Sequence, residues 1–408
     1  MGTPDVESMT SYFCRLAHSH GTSIAQLSRW ILERFGEVVP ERHNWYQLAL
    51  ISPVPETELK AAWLAELTGV EGLDTLTLLP WQHTFSTQGL ISRAERWCPC
   101  CFADDLHKGV VPYFRLAWEL ATVTVCLKHK AELAQVCPHC AKSHVRHRAA
   151  VVVPGYCTAC GGFLGGSALS MATPEALWVA RQIGLMLATQ ESSSRTVSTQ
   201  EILKEVVLRM EGGNISRFAK QLGLSKSGVW YWLNKGGQPG IAVWLAISLY
   251  GGISLDRLLL GELDGWVPPV SPQLQLPLPT ASRKKGPSRE LDWAAIKCEL
   301  RKMLETPEIV TLNEASRRVG VDAKVLYHRA NGEVRAITAR YRQFEVEKQN
   351  RRVIRLRAAL EQLQVERLEQ GYDGLSARDV RSRLAGSDLA SSRNLFRLIR
   401  RVRDDTDR

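Results

Sequence analysis

Four short pairs of metal-ligand residues constrain this chain more than any other feature of its sequence. Three pairs have C-x-x-C spacing and one has C-x-x-H spacing, and all lie within residues 96–165, which hold eight of the ten cysteines. A gap of two residues lets a tight turn direct both side chains at one ion. In sequence order the pairs are Cys98 and Cys101, Cys126 and His129, Cys137 and Cys140, and Cys157 and Cys160.

Eight soft ligands are enough for two tetrahedral zinc sites. Sequential pairing assigns the first four ligands to one Zn²⁺ and the last four to the other, and four protein ligands close each site, so we expect two structural ions. Disulfides fit poorly, because the N-terminus shows no secretion signal. Buried free thiols would not fall into spaced pairs. Three alternatives stay open: Cys100 could replace a member of the first pair, and His139 or His144 could replace His129.

The charge of the chain is concentrated in its last third. Residues 1–280 contain 23 Lys and Arg against 23 Asp and Glu, whereas residues 281–408 contain 29 against 19, so the whole excess of +10 lies there. A localised positive field indicates a polyanionic partner such as nucleic acid, and a solvated set of Arg-rich helices is the alternative. No apolar run approaches the roughly 20 residues that span a bilayer. We therefore expect a cytoplasmic, nucleoid-associated protein without a membrane partner.

Five short motifs follow one another through the first 140 residues. They are ESMTSYFCRLA at 7–17, RWCPCC at 96–101, YFRLAW at 113–118, VCLKH at 125–129 and CPHC at 137–140. This ordered set, which covers roughly residues 4–165, resembles the TniQ family of transposon target-selection proteins, which are related to TnsD. One departure is Leu127, where the family pattern has a proline between the ligands.

The resemblance implies a target-selection adaptor that binds double-stranded DNA and recruits an AAA+ ATPase regulator of the TnsC or TniB kind, and hence the transposase. In a second branch of the family, TniQ docks on an RNA-guided CRISPR effector of the Cascade type. A zinc-dependent transcriptional regulator is an alternative from another class, and a homodimer stays open. We expect no enzyme, because the sequence contains no P-loop, nucleophile elbow or H-E-x-x-H motif.

Apolar stripes of helical period predict a mainly α, multidomain fold. The two isolated cysteines, Cys14 and Cys298, are predicted to be ordinary core residues. The predicted domains are an N-terminal helical region at 1–95, tandem zinc ribbon or knuckle modules at 96–165, a helix-turn-helix domain at 166–263, a Pro-rich linker at 264–289 and a basic helical region at 290–408.

The first helix-turn-helix candidate covers residues 214–234. Gly223 suits the tight turn, and Ser225 can cap the second helix. A plain helical bundle that packs on a protein partner is the alternative. The side chains that we expect to face DNA are Lys226, Ser227, Trp230 and Tyr231.

Two further candidates lie in the basic region. The second covers 311–329, with Thr311 and Asp322 as caps and Gly320 in the turn; the third covers 376–402, and one long helix over 337–370 separates them. The expected DNA contacts are Arg317, Arg318, Lys324, Tyr327, His328 and Arg329 in the second candidate, and Arg393, Arg397, Arg400 and Arg401 in the third.

Overall fold

The computed structural model describes residues 3–39, 45, 50–143, 151–166, 170–190, 198–269, 291–372, 374–384 and 395–406. Most of these residues are helical, as the sequence predicted, and the named strands among them form a single two-stranded hairpin. The chain divides into two compact units. The first contains residues 1–280 and 375–400, and the second contains residues 281–374 and 401–408.

Helices α1 to α11 belong to the first unit, together with the hairpin. Local sequence explains several helix starts: the Ser8 and Ser23 hydroxyls accept backbone N–H groups of α1 and α2, and proline occupies the first turn of α3, α4 and α6. The elements are α1 Met9–Ser19, α2 Ile24–Arg34, α3 Pro55–Thr68, α4 Pro99–His107, α5 Leu116–Glu119, β1 Val125–Cys126, β2 Ala131–Glu132, α6 Pro174–Ala188, α7 Thr199–Glu211, α8 Ile215–Gln221, α9 Lys226–Lys235, α10 Ile241–Gly251 and α11 Leu255–Leu260.

One hydrophobic core runs through the first unit from Val6 to Trp266. Its largest fully buried side chains include Trp81, Trp97 and Trp244, which come from segments far apart in the sequence. Hydrogen bonds join the same segments: Trp244 Nε1 donates to the Thr84 carbonyl at 3.1 Å. The N-terminal helices, the cysteine-rich region and α7–α11 therefore share one apolar interior.

The second unit has its own small core. It contains α12 Trp293–Glu305, α13 Leu312–Val319, α14 Ala323–Arg329 and the 39-residue α15 Asn331–Glu369. The fully buried side chains of Leu300, Ala315 and Leu326 lie at its centre. Two further helices follow: α16 Ala377–Arg383 belongs to the first unit, and α17 Leu395–Thr406 is divided between the units after residue 400.

Several predictions about elements are confirmed, and one is wrong. The pattern of residues 174–189 also predicts a helix capped by Thr173, and the structure has α6 there, with the Thr173 hydroxyl at its N-cap. The long helix expected at 337–370 begins earlier, at Asn331. Its first turns bury Val334 and Ile337 in the core that also contains Leu326 of α14. Cys14 is buried as predicted, but Cys298 is exposed. It lies two residues, or about 200° around α12, from the buried Leu300.

Within the described part of the chain, no helix has the length and apolar character that crossing a membrane requires. The predicted Pro-rich linker is described only over 264–269, so the prediction for 270–289 lies outside the described residues.

Candidate metal centres

The first metal-ligand cluster joins the start of α4 to the hairpin. Cys98 is the N-cap residue of α4 and Cys101 lies in its first turn. Cys126 ends β1, and His129 lies in the loop before β2, where the Cys126 Sγ accepts the His129 backbone N–H at 3.4 Å. The hairpin therefore folds both of its ligands back toward α4.

The four ligand atoms of this cluster converge on one point. The Cys101 and Cys126 Sγ atoms are 3.6 Å apart. His129 Nδ1 lies 3.3 Å from Cys98 Sγ, 3.3 Å from Cys101 Sγ and 3.5 Å from Cys126 Sγ. All three cysteines are buried and the histidine is half-buried.

The second cluster consists of two similar turns that face each other. In the first turn the Cys137 carbonyl accepts the Ala141 N–H at 2.9 Å, and in the second the Cys157 carbonyl accepts the Gly161 N–H at 2.7 Å. The Sγ atoms of Cys137 and Cys160 are 3.5 Å apart, and those of Cys140 and Cys157 are 3.8 Å apart. The predicted sequential grouping of the eight ligands is the grouping that these two clusters have.

The separations fit a tetrahedral metal ion. Zn–S bonds of about 2.3 Å place two sulfurs of a tetrahedron roughly 3.8 Å apart, and a Zn–N bond of about 2.0 Å brings sulfur and nitrogen slightly closer. In both clusters all ligand atoms lie within 4.8 Å of one another. Each cluster can therefore hold one metal ion with four protein ligands and no open position.

The thiol pKa values within each cluster diverge because the sulfurs hydrogen-bond to one another. Hydrogen bonds from Cys101 and Cys98 lower the pKa of Cys126 to about 2, and the bond with Cys126 raises the pKa of Cys101 far above its usual range. In the second cluster, hydrogen bonds led by Cys137 lower the pKa of Cys160 and raise that of Cys157. A divalent cation would replace the shared thiol protons and let all the sulfurs bind as thiolates.

Two of the three alternative ligands have other positions. His139 does not join a cluster, because its Nε2 donates to the Phe163 carbonyl at 2.8 Å and its ring lies over Gly162, where a Cβ would come within 2.4 Å of the ring. Cys100 is half-buried and belongs to neither cluster. The third alternative, His144, lies outside the described residues.

Asp104 is a supporting residue that sequence reasoning missed. Its Oδ2 lies 3.2 Å from His129 Nε2, on the side of the ring opposite Nδ1, and it also forms an ion pair with Lys128. A carboxylate at the far nitrogen of a ligating histidine fixes the tautomer and the orientation of the ring. The available signal was position: Asp104 follows Cys101 by three residues, so both lie on one face of α4.

A buried ion pair holds α4 against the segment that follows it. The Arg115 guanidinium donates to both carboxylate oxygens of Asp105 at 2.7 Å and to the Tyr113 carbonyl at 3.0 Å, and it stacks on the Tyr113 ring. Burial is the largest influence and lowers the pKa of Arg115, but the hydrogen bonds to Asp105 and the charges of neighbouring groups together outweigh it and raise the pKa. This pair fixes the helix that carries Cys101 and Asp104.

The N-terminal third of the chain matches a known protein family. The model of the TniQ family matches residues 1–133. Those residues form a TniQ domain. No curated protein matches the chain. The TniQ domain includes all four ligands of the first cluster, whereas the second cluster follows it at 137–160. The TniQ domain indicates a transposition-associated target-selection protein in general.

C-terminal to the TniQ domain, the first helix-turn-helix candidate is built from α8 and α9. Gly223 has a left-handed φ of +65°, and the Ser225 hydroxyl accepts the Gly228 N–H at the start of α9. Val229 and Leu233 are buried against the unit core. The four side chains expected to face DNA, Lys226, Ser227, Trp230 and Tyr231, are all exposed.

The second candidate is built from α13 and α14. The Thr311 and Asp322 caps and the left-handed Gly320 are present as predicted. The expected contacts Arg317, Arg318, Lys324, Tyr327, His328 and Arg329 are exposed. Ion pairs inside the unit nevertheless hold two of them: Arg318 binds Glu308 at 2.6 Å and Glu314 at 3.1 Å, and Arg317 binds Glu314 at 2.9 Å.

The third candidate is described only in part. Arg397, Arg400 and Arg401 lie on α17 and are exposed, whereas Arg393 lies outside the described residues. Helix-turn-helix function of all three candidates therefore stays a prediction from sequence and local geometry.

Proposed function

We propose that this protein is a non-catalytic adaptor that binds target DNA and recruits an AAA+ regulator of transposition, and through it the transposase. The TniQ domain over residues 1–133 carries this proposal. The basic excess of residues 281–408 supports a nucleic-acid partner, because neutralised phosphates release counterions and so favour binding.

Direct recognition of DNA is the branch that we favour over docking on an RNA-guided effector. An effector that pairs its RNA with the target would supply sequence recognition, and its adaptor would need little DNA-binding charge of its own. Here exposed cations and aromatic side chains lie on capped helices in both units, at Lys226, Trp230, Lys324 and Tyr327 among others. Such side chains suit contacts with phosphates and base edges.

Zinc is the metal that we propose for both clusters, with a structural role. Three thiolates with one imidazole, and four thiolates, are donor sets that zinc takes in closed tetrahedral sites. The ions would hold α4 against the hairpin and the two paired turns against each other. The described strands are two residues long each, which is too short to stabilise this region without metal.

Replacement of one ligand tests the metal assignment. Cys137→Ser should lower the metal content of the purified protein from two zinc ions per chain to one, measured by elemental analysis. Cys100→Ser is the matched control, because Cys100 belongs to neither cluster, and it should retain both ions. Two ions in Cys137→Ser would overturn the assignment.

A gel-shift series with the target DNA of the surrounding element tests the adaptor function. The full-length protein should shift this duplex more strongly than a scrambled duplex, and addition of the ATPase should produce a slower complex that contains all three components. A protein that neither binds the duplex nor changes ATPase recruitment would contradict the proposal.

A further inference from the structure

The surface of α8 and α9 differs from the other candidate DNA surfaces in its charge. No Asp or Glu occurs between residues 212 and 255, a stretch that includes α8, α9 and α10. Lys220, Lys226 and Lys235 are exposed and form no ion pair among the described residues. The nearest acidic neighbour in the sequence, Glu211, is paired with Arg217 at 3.2 Å.

An exposed aromatic pair occupies the middle of this basic surface. Trp230 is 46% exposed and Tyr231 is 54% exposed, although large aromatic side chains are usually buried. Backbone geometry positions the tyrosine, because its ring lies directly over Gly237, where a Cβ would come within 2.3 Å of it. The phenol is therefore held in place before any partner binds.

We infer that α9 is the helix that reads the target sequence, lying in the major groove of duplex DNA with Trp230 and Tyr231 against the base edges. The inference rests on the proposed function. α9 has 10 residues, or about 15 Å of helix, and the major groove admits one helix across its width of about 12 Å. Aromatic carbon suits thymine methyl groups and the indole N–H suits base acceptors.

The lysines around α9 then lie where phosphates flank the groove. Lys226 begins α9 and Lys235 ends it, while Lys220 lies near the end of α8, the helix that crosses the backbone in helix-turn-helix docking. α8 and α9 present three exposed lysines and no carboxylate of their own, so their electrostatic complement is a polyanion, and duplex DNA fits it better than a protein surface of mixed charge. The second unit, whose Arg317 and Arg318 are held by Glu308 and Glu314, would add sequence-independent phosphate contacts through Lys324 and Arg329.

The experiment measures binding of the full-length protein to fluorescent target and random duplexes by anisotropy, over a series of salt concentrations. Trp230→Ala should weaken target binding by about tenfold or more and leave random-duplex binding almost unchanged, because base contacts specify sequence. A triple-lysine variant, which combines Lys220→Gln, Lys226→Gln and Lys235→Gln, should bind both duplexes more weakly. It should also reduce the slope of log K against log salt by about 2 to 3.

Matched controls separate a local effect from a general loss of charge. The control is a second triple variant that removes the same charge from exposed positions of the TniQ domain: Arg29→Gln, Arg34→Gln and Lys108→Gln. It should change the salt slope little. A Trp230→Ala protein that still prefers the target duplex, with an unchanged salt slope in the triple-lysine variant, would overturn the inference while leaving the adaptor function intact. Wild-type protein that binds no duplex would instead overturn the proposed function itself.

Discussion

At the scale of single residues, the position that follows three of the four ligand pairs has an unusual backbone conformation. Lys130, Ala141 and Gly161 follow His129, Cys140 and Cys160, and all three have positive φ, of +50°, +54° and +71°. Only the glycine adopts this region without steric cost. The shared conformation lets the backbone turn sharply behind the second ligand of these three pairs, whereas Cys101 of the remaining pair is followed by the rest of helix α4.

Exchange of glycine and alanine at these positions should change stability in opposite directions. Gly161→Ala should lower the free energy of unfolding of the metal-loaded protein by about 1 kcal/mol, because a Cβ is strained at positive φ. Ala141→Gly should raise it by a smaller amount, since the added freedom of the unfolded chain offsets part of the relief. Chemical denaturation measures both, and equal effects of the two changes would contradict this interpretation of the turns.

Asp104 should influence metal affinity without being a ligand. Asp104→Ala leaves His129 Nε2 without its carboxylate, so we expect the first site to bind zinc about 10–100-fold more weakly in competition with a chromophoric chelator. Lys128→Ala is the control, because it removes only the other partner of Asp104. The assignment fails if both variants lose the same affinity, which would point to the ion pair instead.

At the scale of elements, the caps and turns of the first two helix-turn-helix candidates were predictable because they are local. Ser225, Thr311 and Asp322 each lie within three residues of the N–H that they accept, so the sequence alone indicates them. The ion pairs of α13 were not predictable. Arg318 pairs with Glu308, which lies before the helix and reaches it only through the folded turn.

Because of these ion pairs, we expect Arg317 and Arg318 to contribute less to phosphate binding than Lys324 and Arg329 of α14. Lys324→Gln with Arg329→Gln should lower affinity for target and random duplexes alike and reduce the salt slope by roughly 2, because each free phosphate contact contributes about 0.9. Arg317→Gln with Arg318→Gln should reduce it less, since Glu308 and Glu314 already neutralise those charges. Identical slopes for the two double variants would show that the ion pairs open when DNA binds.

At the scale of the whole molecule, metal binding should stabilise elements that contain no ligand. The core that surrounds the clusters continues through Trp97 and Trp244 to α10, so loss of the ions should loosen the unit as a whole. Chelation should therefore reduce hydrogen-exchange protection in α10 as well as in residues 96–165, measured by mass spectrometry. A loss confined to 96–165 would show that the core does not transmit the change.

The sequence by itself determined the local features of this protein. Ligand spacing, helix caps and helix ends depend on residues within a few positions of one another. Four paired ligand motifs also leave few ways to assemble closed four-ligand metal sites. The sequence therefore predicted the grouping of eight ligands into two sets of four and the helical character of the chain, and its motifs indicated the TniQ family.

Only the tertiary structure decided which distant groups meet. The contact of Asp104 with His129, the ion pair between Arg318 and Glu308, and the core shared by Trp97 and Trp244 all join residues whose spacing in the chain carries no signal. Long-range packing sets these pairings, because a side chain's neighbours depend on how whole helices dock. That docking also leaves Trp230 exposed while Trp244 is buried, a difference that residue type alone could not predict.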